Sequence, residues 1–467
     1  MKESYRMIMP PPRAERVNTP STRKRLSFDA LVELIRDRAG QLPDQRQDPD
    51  FLLADAIMSA FALFSLKDPS LLAFEARRND ENMKTLFRIM QICSDTQMRE
   101  ILDPVEPDWL RPFFKDIFQE LQRGKALESF VFYEGYYLLA IDGTEYFSSD
   151  SIHCPGCLCR ESKTGKKSFY HQMLSPVLVK PGKREVIPLA PEPIVKQDGS
   201  NKNDCERNAG KRLLEKIRQD HPHLPIIVVE DGLASNAPHI RLLQQLNMRF
   251  LLVAKQDDHE YLFEEFLRAD DEGRVTAFSY PHPTKTGVTC EISFVHDLPL
   301  NKSNQDLRVN LLLYSEYAAD GTRQKYFTWV TDLTITKENA PHLVAGGRAR
   351  WKIENETFNT LKNQGYHFEH NYGHGQQNLS VVFAMLMMLA FLVDQVQQHC
   401  CPLFQANLKK AGSRRTLWER LRSHFYHFLF SSMRELFVAM LHDRVKEMPL
   451  PPRYPPRRIC SCHLPSG

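Results

Sequence analysis

No apolar run in this chain reaches the roughly 20 residues that span a bilayer. The longest, LSVVFAMLMMLAFLV at 379–393, predicts a buried core helix instead. Cysteine is sparse, with ten in 467 residues, and no stretch has the composition of a secretory signal. A disulfide scaffold is therefore excluded and a reducing, cytoplasmic compartment is expected, with no membrane partner. No internal repeat is apparent. A strong overall charge is also missing: the formal net charge is +3, so composition alone does not select nucleic acid as a partner.

What is present is unevenly placed. Residues 1–25 carry seven Lys or Arg against Glu3 and Glu15, and Lys409 to Arg422 carries six against Glu419. Clusters of this kind can neutralise phosphates, although solvated tails and helix faces look the same. A hydrophobic fraction of 42% with 25% charged residues is that of a globular protein, and the length predicts two or three units.

The Pro- and Arg-rich start, 1–27, reads as a basic disordered arm. From 28 to 125 the periodicity is helical throughout, with Ser94 and Gln97 spaced as a capping box. Short apolar runs then alternate with helical stretches. GYYLLAID (135–142), segments near 168–178 and 184–188, PIIVVED (225–231) and RFLLVA (249–254) read as strands, with helices at ERNAGKRLLEKIRQ and 237–247. This predicts an α/β fold with a mixed sheet and flanking helices over 126–255. A β-rich insertion is expected over 256–338, with a hairpin turn at AADG. Helices resume over 339–400 and 401–448, and a Pro-rich tail, 449–467, is expected to be disordered.

Asp142 and Asp231 each end an apolar run and each precedes Gly, in AIDGT and VEDGLAS. Asp-Gly alone is an ordinary turn, but two carboxylates at strand ends of one sheet can converge on a divalent ion. The stretch RWKIENETFNTLK supplies a third acid. At 100° per residue Trp351, Glu354, Phe358 and Leu361 share one face, whereas Glu356 lies about 200° from Glu354. The apolar face is expected to meet the sheet and to carry Glu354 with it. Arg350, one turn earlier, could hold a phosphate.

IDGT, VVEDGLASN and RWKIENETFNTLK together resemble the three acidic motifs of the DDE-type bacterial insertion-sequence transposases, over roughly residues 50–400. The order of elements is similar to that family's RNase H-like core, interrupted by a β-strand insertion before the last acidic helix. The resemblance implies Asp142, Asp231 and Glu354 as the catalytic triad, binding two Mg²⁺ or Mn²⁺ ions. It implies cleavage at transposon ends and strand transfer to target DNA, by a homodimer or higher assembly formed on DNA in a bacterial cytoplasm. The helices of 28–125 would bind DNA. Where the family has Tyr three residues before the Arg, this chain has Gly347, and its nearest Lys, Lys362, stands eight rather than seven after the Glu. Trp329, in FTWVTDL, falls where related enzymes place an aromatic that stacks on a flipped base; a Trp in a β core is the other reading. Two further functions fit the same residues: a nuclease that cuts without joining, and a DNA-binding protein with a decayed site.

IHCPGCLCR adds Cys154, Cys157 and Cys159, with His171 shortly after. Cys154 and Cys157 have the spacing of a zinc site that Cys159 or His171 could complete, and a reduced Cys-rich turn is the plain alternative. His370 and His374 stand four apart, but Gly373 between them argues against a helical His pair. With Tyr366 and His367 they are expected to line the DNA path or to pack below it.

Overall fold

A computed structural model describes residues 21–76, 78–196 and 206–442. Most of the basic arm, and the whole Pro-rich tail, lie outside them. The arm ends earlier than its composition suggests: Ser21–Leu26 forms a 3-10 turn, and Leu26 is buried with its carbonyl accepting from Gln397 Nε2 at 2.9 Å.

Six α-helices follow between Phe28 and Arg123, and no strand is found among the described residues before Val131. Local signals set their ends. Ser27 caps Phe28–Ala39, and Ser94 with Gln97 forms the reciprocal capping box. These helices do not stand apart from the C-terminal ones, as the separate units 28–125 and 401–448 would have it. Leu53–Leu66, buried along its whole length, packs on the 22-residue helix Leu379–Cys400. Asn82 Nδ2 donates to the carbonyls of Phe425 and Phe428, each at 2.6 Å. The apolar run at 379–393 is the first part of this longer helix, which could cross a membrane by length and composition but is encased in protein.

The sheet contains β1 (Val131–Tyr133), β2 (Tyr136–Ser149), β3 (Leu158–Glu161), β4 (Lys167–Val179), β5 (Ile187–Pro188) and β6 (Glu192–Ile194). It continues through β7 (Ile226–Val229), β8 (Arg249–Val253), β9 (Thr276–Pro281), β10 (Thr289–Asn301), β11 (Asn304–Tyr317) and β12 (Arg323–Thr331). The strand order is β3-β4-β2-β7-β8-β12-β11-β10-β9, with β1 on β2 and with β5 and β6 on β4. β4 runs antiparallel to β2, whereas β2, β7 and β8 are mutually parallel. The four strands β9–β12 form an antiparallel meander, and Gly321 in AADG supplies the positive φ its last turn needs. That meander is fused to the rest of the sheet, because β12 pairs with β8. The helix Glu260–Asp271 precedes it inside the expected insertion.

Candidate active site

β2 and β7 are paired in parallel up to Ala140 and Val229. Asp142 and Asp231 each lie two residues beyond that pair, so both carboxylates occupy the same level, just past the point where the parallel pairing of the two strands stops. The chain treats them differently. β7 stops, and Asp231 caps the short 3-10 turn Gly232–Ala234 by accepting from Leu233 N at 3.0 Å. β2 continues to Ser149 beside β4, so Asp142 is a mid-strand residue opposite Ser175 and not part of a turn. A Cβ at Gly143 would lie 2.5 Å from Glu206 Oε1, so a side chain there would displace the Glu206 carboxylate.

Glu354 reaches this level from the far side of the inserted strands. Residues Ile353–Phe358 form a π-helical turn, which widens the helix and resets its phase. Ile353, Thr357, Phe358 and Leu361 are buried as a result, while Trp351 is 52% exposed, so the expected stripe through Trp351 does not exist. Glu354 nevertheless points toward Asp142. Arg350 donates to Glu354 Oε1 at 2.8 Å and to Asp142 Oδ2 at 3.2 Å, bridging the two acids. Glu356 makes no such contact with Arg350.

Burial pushes the Asp142 carboxyl up to about 6; the Arg350 charge opposes this, and the negative charges of Glu354 and Asp231 add to it. Three carboxylates therefore share one electrostatic environment. A fourth belongs with them. Glu206 opens the helix Glu206–Asp220, and its carboxyl is raised by burial and by the charge of Asp231, while Gln172 Nε2 donates to it at 2.5 Å. An acid in the first turn of a helix is favourable on dipole grounds alone, so its sequence position carries no distinctive signal.

Two expected DNA contacts are placed otherwise. Trp329 is 1% exposed, its ring stacked 5.8 Å from that of Phe327. No base can stack there while the helix Ala340–Arg348 is in place, so the β-core reading holds. The same packing accounts for Gly347: a Cβ at that position would lie 2.5 Å from Trp329 Cε2 and Nε1. The tyrosine of the related enzymes has no room here. Lys362 is spent within the protein, donating to the Glu145 carbonyl at 3.0 Å and pairing with Glu369 at 2.8 Å.

The cysteine turn meets a partner from far along the chain. Cys154, Cys157, His171 and His374 direct one ligand atom each to a common point, all within 4.8 Å of one another. Cys159 is not among them; it sits on β3 opposite Phe169. His374 takes the fourth place, so it does not line an open path. His370 instead packs edge-on against Tyr372, and Tyr366 is buried.

Residues 179–392 match the family model described as the transposase DDE domain. Asp231, Arg350 and Glu354 fall inside the matched span, and Asp142 precedes it. No curated protein matches the chain significantly.

Proposed function

From the match of residues 179–392 to the transposase DDE domain, we propose that the chain is a DDE-type transposase that cuts DNA strands at the ends of its element and joins the freed 3′ ends to a target. Asp142, Asp231 and Glu354 are its metal-binding acids. The observation that carries this reading is their convergence: two acids in step just beyond the parallel pairing of β2 and β7, and a third joined to the first through Arg350. The strand order, antiparallel β4 on β2 followed by parallel β2, β7 and β8, supports an RNase H-like core.

Oxygen donors on three separate elements suit Mg²⁺ or Mn²⁺. A bound pair would supply an activated water and a stabilised leaving oxygen, so no side-chain nucleophile is required. The chain's own contribution is to place charge. The Asp142 carboxyl, its proton affinity raised by burial and by the neighbouring charges of Glu354 and Asp231, is a place where a cation would be welcome, and Arg350 offsets part of that repulsion in the free protein. With cations bound by the acids, the Arg350 guanidinium would be free to hold a phosphate, which a guanidinium can grip in bidentate fashion. Gln172 keeps Glu206 turned toward Gly143, beside Asp142.

Asp142→Asn, Asp231→Asn and Glu354→Gln keep side-chain size while removing the charge. Each should abolish cleavage of end-containing DNA by several orders of magnitude and leave binding to that DNA nearly intact. Glu356→Gln, in the same π turn, should retain most activity. Pre-cleaved ends offered with a supercoiled target test joining separately from cutting. An active Glu354→Gln beside a dead Glu356→Gln would overturn the assignment.

A further inference from the structure

The sequence leaves open whether the CxxC turn is merely a turn, and the fold answers with a geometry that turns do not need. Cys154 Sγ and Cys157 Sγ are 3.9 Å apart; His171 Nε2 lies 3.3 Å from the first and 3.4 Å from the second; His374 Nε2 lies 3.0 Å from Cys157 Sγ. Tetrahedral zinc with Zn–S of about 2.3 Å and Zn–N of about 2.05 Å sets S–S near about 3.8 Å and S–N near about 3.5 Å. The Cys154–Cys157 distance and both His171 distances lie close to those spacings, the His374–Cys157 distance is shorter, and all four ligand atoms, from three separate segments, lie within 4.8 Å of one another.

We propose that Cys154, Cys157, His171 and His374 bind one structural Zn²⁺ that fastens the segment after the Glu354 helix to the strand pair bearing Asp142.

The surroundings are those of a closed structural site and not a catalytic one. Both cysteines and His171 are buried. Tyr146 stacks on His171 at 5.8 Å, and Phe147 covers His374 with ring centroids 4.4 Å apart. An apolar shell of this kind keeps solvent from a metal's bonds. Cys154 N–H donates to Cys157 Sγ at 3.4 Å, which fixes the turn that carries the two cysteines. All four positions are taken by protein, which leaves none for water or substrate.

The connection is also specific. His171 lies on β4 opposite Phe147 of β2, five residues along the strand from Asp142. His374 lies in the turn between the Glu354 helix and the buried helix Leu379–Cys400, flanked by Gly373 and Gly375, both at positive φ. Asp103 fixes the far side of that turn, its carboxylate accepting from the backbone N–H groups of Gln376, Gln377, Asn378 and Leu379. Without a cross-link at His374, this loop has no covalent or coordinate bond to the sheet.

Metal analysis of the full chain, purified without chelator, should find one zinc per molecule. The Cys154→Ser/Cys157→Ser double variant should hold none, His374→Ala should fall well below one, and Cys159→Ser should keep the full complement. Co²⁺ in place of Zn²⁺ should give the thiolate charge-transfer absorption of a tetrahedral site, absent from the double variant. Wild-type protein that carries no zinc and takes up none from an equimolar addition would overturn the proposal. So would a Cys154–Cys157 disulfide in freshly prepared protein, or loss of zinc in Cys159→Ser with retention in His374→Ala.

Discussion

Replacing Asp394 by Asn tests how the helical half of the molecule is held together. Lys67 ends Leu53–Leu66 in the left-handed region, at φ 55°, and its side chain is fully buried. Its ammonium pairs with Asp394, donates to the Ser65 carbonyl at 2.8 Å and lies 3.8 Å from the centre of the Trp418 ring. Asp394 Oδ2 also accepts from Tyr366 at 2.6 Å. Burial drives the lysine down and the aspartate up, and each charge restrains the other. In Asp394→Asn only the Ser65 carbonyl and the Trp418 ring still favour the charged lysine, which sheds its proton on folding. From an unfolded pKa of about 10.4, that costs up to about 4–5 kcal/mol at pH 7, at about 1.4 kcal/mol per pH unit. This agrees with the roughly 3–5 kcal/mol expected on breaking a buried pair. Urea unfolding should show the loss as a lower midpoint with an unchanged slope. The unfolded variant binds the proton that the folded one lacks, so its deficit should shrink as pH rises from 7 toward 10. Lys67→Met/Asp394→Leu, with neither charge, should recover most of the stability. A deficit that does not change with pH, or a double variant no better than the single, would refute the reasoning.

Gly347→Ala should destabilise by about 1–3 kcal/mol, the usual range for overpacking; a smaller residue at Trp329 should relieve it, and a thermally neutral Gly347→Ala would mean that the helix Ala340–Arg348 yields freely. His221, its ring 4.4 Å from that of Phe118, is pushed down to about 4 by burial. Its stabilising contribution is complete above the unfolded value of about 6.5 and falls as pH drops toward 4, by on the order of 2 kcal/mol after discounting for partial exposure. His221→Gln should flatten that limb of the pH–stability curve, and identical profiles for the two proteins would count against it.

The readable parts of this sequence are those whose meaning is local. Buried strands announce themselves as short apolar runs, so Asp142 and Asp231 could be placed at strand level from their neighbours alone. The capping box at Ser94 and Gln97 is legible for the same reason. Glu354 was found through a periodicity that is only partly real: Phe358 and Leu361 are buried as expected, but the π turn breaks the stripe before it reaches Trp351. No propensity marks a π turn, because tertiary packing imposes it. Partnerships across long separations were invisible. His374 stands 217 residues from Cys157, and Glu206 looks like any acid at a helix start. Gly347 was legible as a departure from the related motif, but its cause lay in Trp329, on a strand whose placement only the folded sheet reveals.

Because β12 pairs with β8, the inserted strands impose an order on the making of the molecule. A chain emerging from the ribosome completes β8 about 70 residues before β12 can cover it. Until then β8 presents a bare edge, and Glu354 has not yet been synthesised. Leu53–Leu66, buried along its whole length, must wait longer still for Leu379–Cys400. A half-made copy that ends before Glu354 therefore presents Asp142 and Asp231 without the partner that Arg350 links to Asp142. It also exposes the apolar surface and the open strand edge that cells recognise as unfinished. Asp142, Arg350 and Glu354 can meet only once the chain has been made past Glu354, so their junction is one of the later features of the fold to form.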